Sequence, residues 1–300
     1  MLNKVNMVKN IINHNKEEIA FLIGNGINHH FKTSKSWNDV LIELWKNFSF
    51  STMSNIPPGV SLTEVYDLLE IENTNNGKRD FHIQKKVKDI FSSVNTNMNQ
   101  NIILDKISSI NAPLLTTNFD DLIKRSLDLE DYRLKKNKFT DFYPWGSYFS
   151  KKELDLPTDG FGVWHINGMV KYHRSIKLGL SQYMGNVDRA RKWIHGNKED
   201  ILFTGKNKID WPGLYSWLHI IFNRSIFIVG LGLEENEVFL RWLLIERAKY
   251  FRQFPDRVKS GWYIQQSNSG NIGRKFFLEK VGFEVIDLDT YNDIYEEIWK

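Results

Sequence analysis

Cysteine is absent from the 300-residue chain, which excludes a disulfide framework and any thiolate zinc site and leaves a secreted, disulfide-stapled fold without support. Long apolar runs are missing too. The opening segment MLNKVNMVKNIINHNKEEIAFLIGNG has no continuous apolar core of signal-peptide length, and no later segment approaches the roughly 18 apolar residues of a membrane helix. A cytoplasmic location and no entry into a bilayer are the expectations. A bias toward one sign of charge is also lacking: 40 basic against 36 acidic residues leave a net +4, spread along the chain with no basic arm. That spread argues against direct nucleic-acid binding, which concentrates Lys and Arg on one stripe. Internal repeats, long linkers and low-complexity tracts are absent as well, so a single domain over residues 1–300 is expected.

What is present is a globular composition, 41% hydrophobic and 25% charged, with strands and helices in alternation. Ile19 to Ile23, Ala112 to Thr117, Gly162 to Ile166, Ile176 to Leu180, Ser225 to Val229, Gly261 to Ile264 and Glu284 to Leu288 read as strands. Trp37 to Phe48 puts Trp37, Val40, Leu41, Leu44, Trp45 and Phe48 on one helical face, with Ser36 as cap. Further helical patterns cover Leu62 to Glu72, Phe81 to Phe91, Leu122 to Leu127, Gln182 to Ile194, Trp211 to Phe222, Glu235 to Phe251 and Gly273 to Val281. The alternation predicts an α/β, Rossmann-like fold: a mostly parallel sheet with helices on both faces and a helical insertion at about 49–110, broken by the Asn-rich Asn73 to Gly77.

In such sheets ligands sit beyond the carboxyl ends of the strands, so the polar residues after each strand carry the functional signal. Gly24-Asn25-Gly26 follows the first strand, and its two glycines would let backbone approach a ligand and present N–H groups to a phosphate, although a glycine turn is also simply a turn. Thr117-Asn118-Phe119-Asp120 follows the second; Asn118 or Asp120 would serve either a ligand or the N-cap of the next helix. His165, at the end of the run Val163-Trp164-His165, titrates near neutrality and would suit acid/base work, or is structural.

The order of these junctions resembles the sirtuin-like NAD-binding family, in the divergent prokaryotic branch found in anti-phage effectors. Phe21 to Asn28 resembles that family's glycine-rich nucleotide loop, and Ser36-Trp37 with Leu41 its next segment. Thr117-Asn118-Phe119-Asp120 is similar to its Thr-x-Asn-x-Asp motif. His165 through Ser175-Ile176-Lys177-Leu178 to Gln182-Tyr183 resembles its catalytic-histidine segment, and Ile228-Val229-Gly230-Leu231-Gly232 with Glu234 and Glu237 its late glycine strand facing adenosine. The resemblance implies an NAD glycohydrolase, releasing nicotinamide and ADP-ribose, in a regulated anti-phage role. Asn118 would bind the nicotinamide ribose and position water, His165 would be general base, and Asp120 would support the ribose. Gly24, Asn25 and Gly26 would take the pyrophosphate, with Thr117, Gly230, Gly232 and Glu237 completing the dinucleotide site. NAD is then substrate, and no other cofactor and no metal is expected. The missing cysteines exclude the four-cysteine zinc module of the sirtuin deacylases. Two further departures are Asn25 where the family has alanine, which bears on dinucleotide specificity, and Asn167 between His165 and Gly168.

Other features read as structural. The ten tryptophans fall mostly in apolar-periodic stretches and are expected in the core. Trp242-Leu243-Leu244 with Arg241 and Arg247 would suit a helix at a homo-oligomer interface. Lys135-Lys136 and Lys151-Lys152 read as solvated loops, and His29-His30 lacks the supporting carboxylates of a metal site. An activity that depletes NAD needs restraint, so control by a partner protein or by assembly is expected. The rival reading is a non-catalytic module that binds NAD or ADP-ribose within a defence complex.

Overall fold

A computed structural model describes residues 4–75, 81–92, 95–134, 139–196, 199–267 and 269–300; Asn76-Gly77 and Lys135-Lys136, noted above, lie outside the described residues. In chain order the elements are α1 (Lys4–Asn15), β1 (Ile19–Ile23), α2 (Gly26–His30), α3 (Trp37–Phe48), α4 (Leu62–Asn75), α5 (Phe81–Ser92) and α6 (Met98–Ser109). Then follow β2 (Leu114–Thr116), α7 (Leu122–Ser126), β3 (Glu130–Arg133), β4 (Ser147–Ser150), β5 (Val163–His165), α8 (Leu180–His195) and α9 (Leu218–Asn223). The chain closes with β6 (Ser225–Val229), α10 (Val238–Gln253), β7 (Gly261–Gln266), α11 (Ile272–Lys280), β8 (Glu284–Leu288) and α12 (Tyr291–Tyr295).

Every residue of β1 is buried, and its alternation divides the molecule. Ile19, Phe21 and Ile23 point into one core layer with α1, α6, α7 and α12, while Ala20 and Leu22 point into the other with α8, α9 and α10. The expected α/β architecture is therefore present, with both faces covered. The eight strands lie in the order β3-β4-β5-β2-β1-β6-β7-β8. Six of them, β5 to β8 across that row, are parallel; β4 joins β5 and β3 antiparallel. Numbered in chain order among themselves, the parallel six read third, second, first, fourth, fifth, sixth, the Rossmann order. The order reverses between β1 and β6, where connections leave in opposite directions and open a crevice.

Helices α3, α4 and α5 form a third cluster with Phe119, Ile176 and Leu178, roofing the carboxyl end of the sheet. Ser36 caps α3 as expected, accepting from the Asp39 amide at 3.1 Å. Helix α6 does not join that roof: Ile103, Leu104 and Ile107 pack on the Phe21 face of the sheet.

Three local expectations are overturned. Ile176 to Leu180 is not a strand, because its alternating Ile176 and Leu178 face the α3–α5 cluster and the Ile176 carbonyl accepts from Gln84 at 3.0 Å. Of Trp211 to Phe222 only α9 is helical; Pro212 and Gly213 hold the first half in turns. In α10, Leu243, Leu244 and Arg247 are buried in the chain's own core and cannot face a partner as expected, whereas Arg241 and Trp242 are half-buried. Arg247 donates to the carbonyls of Ile221, Arg224, Lys259 and Ser260, which solvate its charge. Trp164, Trp211 and Trp217 are likewise fully buried. No helix among the described residues is long and apolar enough to cross a membrane.

Candidate functional site

The crevice begins where the loops after β1 and β6 touch. The Gly24 amide donates to the Val229 carbonyl at 3.2 Å and the Gly26 amide to the Gly230 carbonyl at 2.8 Å. A Cβ on Gly24 would lie 2.4 Å from the Gly230 oxygen, and one on Gly26 would lie 2.2 Å from the Tyr295 hydroxyl. These glycines are required by the close approach of two loops. Their amides are engaged there and are not free donors for a phosphate.

Two cavities flank this contact. The first, about 200 Å³, is walled by Trp37, Phe91, Phe119 and Tyr183, with Asn118, Asp120 and Asn167 on its floor and α4 residues above. The second, about 660 Å³, runs over Gly26 and Gly230 toward Gln265, Arg274 and Tyr295. Asn25, Trp37, Thr117, Gly232 and Glu237 line both, so the two meet at a shared neck.

Sheet register explains which junction residues reach the first cavity. Ile23 pairs with Thr116 and Thr116 with His165. Counting two residues past each strand brings Asn25, Asn118 and Asn167 to one level, and all three line the cavity. His165 is one level lower, within the sheet, and lines neither cavity. Its Nδ1–H donates to the Asn118 carbonyl at 2.7 Å, which places the proton of a neutral ring on Nδ1. The ring meets Phe149 edge-on at 5.4 Å, and burial pushes its pKa down to about 4 against the opposing pull of that hydrogen bond. Gly24 also lines neither cavity.

Asp120 is 3% exposed. One oxygen accepts from the Leu122 amide at 3.0 Å and so caps the first turn of α7; the other faces the Asn28 side-chain amide at 3.4 Å. Burial pushes its carboxyl up to about 6, with the Leu122 amide opposing. Asn28 also donates to Asn25 Oδ1 at 3.0 Å and accepts from Gln100 at 2.7 Å, and Gln100 accepts from the Thr33 hydroxyl at 2.9 Å. This buried network ties the β1 loop, the β2 turn and α6 together. Asn28 and Gln100 escape sequence reading because both lie in polar stretches without periodicity. Asn118 is fixed by its own amide, which donates to Thr116 Oγ1 at 3.1 Å, and by a long contact from Nδ2 to the Gly24 carbonyl at 3.4 Å.

Glu237, at the neck, is pushed up to about 7 by burial, with the charge of Glu234 adding. In the second cavity Arg274 donates to the Gly232 carbonyl at 2.8 Å and to Gln265 at 3.1 Å. His29 meets Asn25 at 3.0 Å, and His30 meets Glu296 at 3.0 Å. No protein-family model matches the chain, and a search of curated proteins returns no match.

Proposed function

We propose that the chain binds NAD along the two joined cavities and hydrolyses the bond between nicotinamide and ribose. The observation that carries this reading is the pairing of an aromatic, carboxyl-lined cavity with a larger one at the Rossmann switch point. Nicotinamide in NAD is a planar cation. Aromatic faces and the carboxyl of Asp120 suit such a group.

Cleavage builds positive charge on the ribose as the ring nitrogen takes the bonding electrons. Asp120, desolvated and held by Leu122 and Asn28, would oppose that charge. Asn118 would hold the ribose and the water, with His165 acting through the Asn118 backbone as a positioning residue. The pyrophosphate would be met by groups other than the amides of Gly24 and Gly26. By the resemblance to anti-phage effectors, the activity would deplete NAD in the cytoplasm under the control of a partner or of assembly.

A second reading, an NAD- or ADP-ribose-binding module without turnover, is favoured by one observation: an asparagine, Asn167, stands in the cavity, and His165, at the end of the strand before it, lies outside. Incubation of the purified chain with NAD, followed by chromatography for free nicotinamide, separates the two. Nicotinamide release is expected; binding in a calorimeter with no release from NAD would replace hydrolysis by the binding module.

A further inference from the structure

Among the polar groups that line the first cavity, the Asn167 amide, the Tyr183 hydroxyl and the Glu237 carboxyl are without a hydrogen-bond partner among the described residues, as are the Thr117 hydroxyl and the Asn236 amide. Of these, Thr117 and Glu237 also line the second cavity. Asp120 has both oxygens engaged, by Leu122 and by Asn28, and Glu234 accepts from Arg274 at 3.4 Å. Of the three carboxyls that line the first cavity, Glu237 alone is without a partner among the described residues. A dinucleotide with nicotinamide in the first cavity and adenosine in the second would have its nicotinamide ribose at the shared neck.

We infer that Glu237 is the general base of this site, taking the proton of the water that attacks the nicotinamide ribose, an assignment that rests on the hydrolytic reading above. As the water oxygen bonds to the anomeric carbon, the carbon–nitrogen bond breaks and its electron pair neutralises the nicotinamide ring. The water proton passes to the Glu237 carboxylate and then to solvent, so one NAD and one water give ADP-ribose, nicotinamide and a proton. Asp120 keeps the electrostatic role that its two hydrogen bonds fix. Environments that separate two carboxyls in this way are how acid/base and charge-stabilising roles are divided within one site.

Burial and Glu234 hold Glu237 near neutrality, so its ionisation falls within a measurable pH range. The other ionisable groups around it are Lys35, Asp120, Tyr183 and Glu234 in the first cavity. The second cavity adds His29, His30 and Arg274, with Tyr263, Tyr291 and Tyr295. Lys35 is paired with Glu43 at 2.6 Å.

The test compares wild type with Glu237→Gln and Glu237→Asp, reading kcat and KM for nicotinamide release against pH, and ADP-ribose binding by calorimetry. Wild-type kcat is expected to rise with pH through about 7 as the carboxyl ionises. Glu237→Gln is expected to lower kcat roughly 100-fold and abolish that rise while KM and ADP-ribose binding stay near wild type. Glu237→Asp recovers part of the rate. A Glu237→Gln protein with wild-type kcat and the rise intact overturns this assignment and leaves hydrolysis standing. Loss of ADP-ribose binding in Glu237→Gln also overturns it, making Glu237 a binding contact. A wild-type chain that releases no nicotinamide overturns both readings.

Discussion

The ends of β2 and β5 lie side by side in register, yet they deliver different things to the site. Past β2 the chain turns so that Asn118 and Asp120 open into the first cavity; at β5 the histidine is still inside the sheet, and the residue that reaches the cavity is Asn167. The difference is one of height along the strand. In a parallel sheet a residue's level is set by pairing, and a shift of two residues separates a group that meets ligand from one that holds up its neighbour. His165 serves Asn118 by accepting the second role: its Nδ1–H fixes the Asn118 carbonyl.

That contrast is open to direct attack by substitution. The largest effect is expected from Asn118→Ala, which removes the side chain assigned to ribose and water: nicotinamide release should fall by about 1,000-fold or more with the fold retained in circular dichroism. An Asn118→Ala protein that turns over at the wild-type rate would remove the β2 junction from the mechanism. Asp120→Asn keeps shape and discards charge, so a loss of about 100-fold in kcat is expected. The same variant carries a stability signature of opposite sign. A carboxyl whose folded pKa is raised from 3.8 to about 6 binds protons more tightly in the folded state, so its ionisation destabilises the fold at neutral pH. Asp120→Asn should therefore melt higher than wild type at pH 7, with the difference shrinking as pH falls through about 6 toward 3.8, as thermal melts across that range would record.

A smaller effect, about tenfold, is expected for Asn167→Ala, whose amide contacts the cavity without an assigned proton transfer. His165→Phe should be mildest for rate, a few-fold in kcat with KM unchanged, since the ring still packs on Phe149 and only the hold on Asn118 is lost. Steady-state kinetics that rank His165→Phe above Asn167→Ala in damage would reverse the comparison. His165 also makes the wild-type fold acid-sensitive: its folded pKa is depressed from 6.5 to about 4, so the stability it contributes is present above 6.5 and is lost as pH falls toward 4.

Much of the fold is legible in the sequence. Val229 and Ile23 end apolar runs at glycine, and Ser36 caps an amphipathic helix; both are local signals that packing had no reason to override. The antiparallel edge β3 was not legible, because Glu130 to Arg133 are mostly exposed and carry no apolar alternation. Ile176 to Leu180 reads as a strand for the converse reason: alternation reports a buried face and does not say whether a strand or a helical cluster buries it. In the site, Asn118 and Asp120 stood out as polar residues directly after a strand, whereas Asn28 and Gln100 are joined to Asp120 only through folding, across sequence gaps no periodicity spans.

By itself the sequence determined the α/β class, the strand ends at which polar residues gather and the absence of any thiolate chemistry, since each follows from residue type and near-neighbour spacing. Tertiary structure alone decided that Asn167 and not His165 enters the cavity, that the Gly24 and Gly26 amides bind the β6 loop, and that Glu237 stands at the neck with no partner for its carboxyl among the described residues. Those outcomes depend on strand register and on which loops meet across the sheet, and both are set by long-range packing that no local stretch of chain encodes.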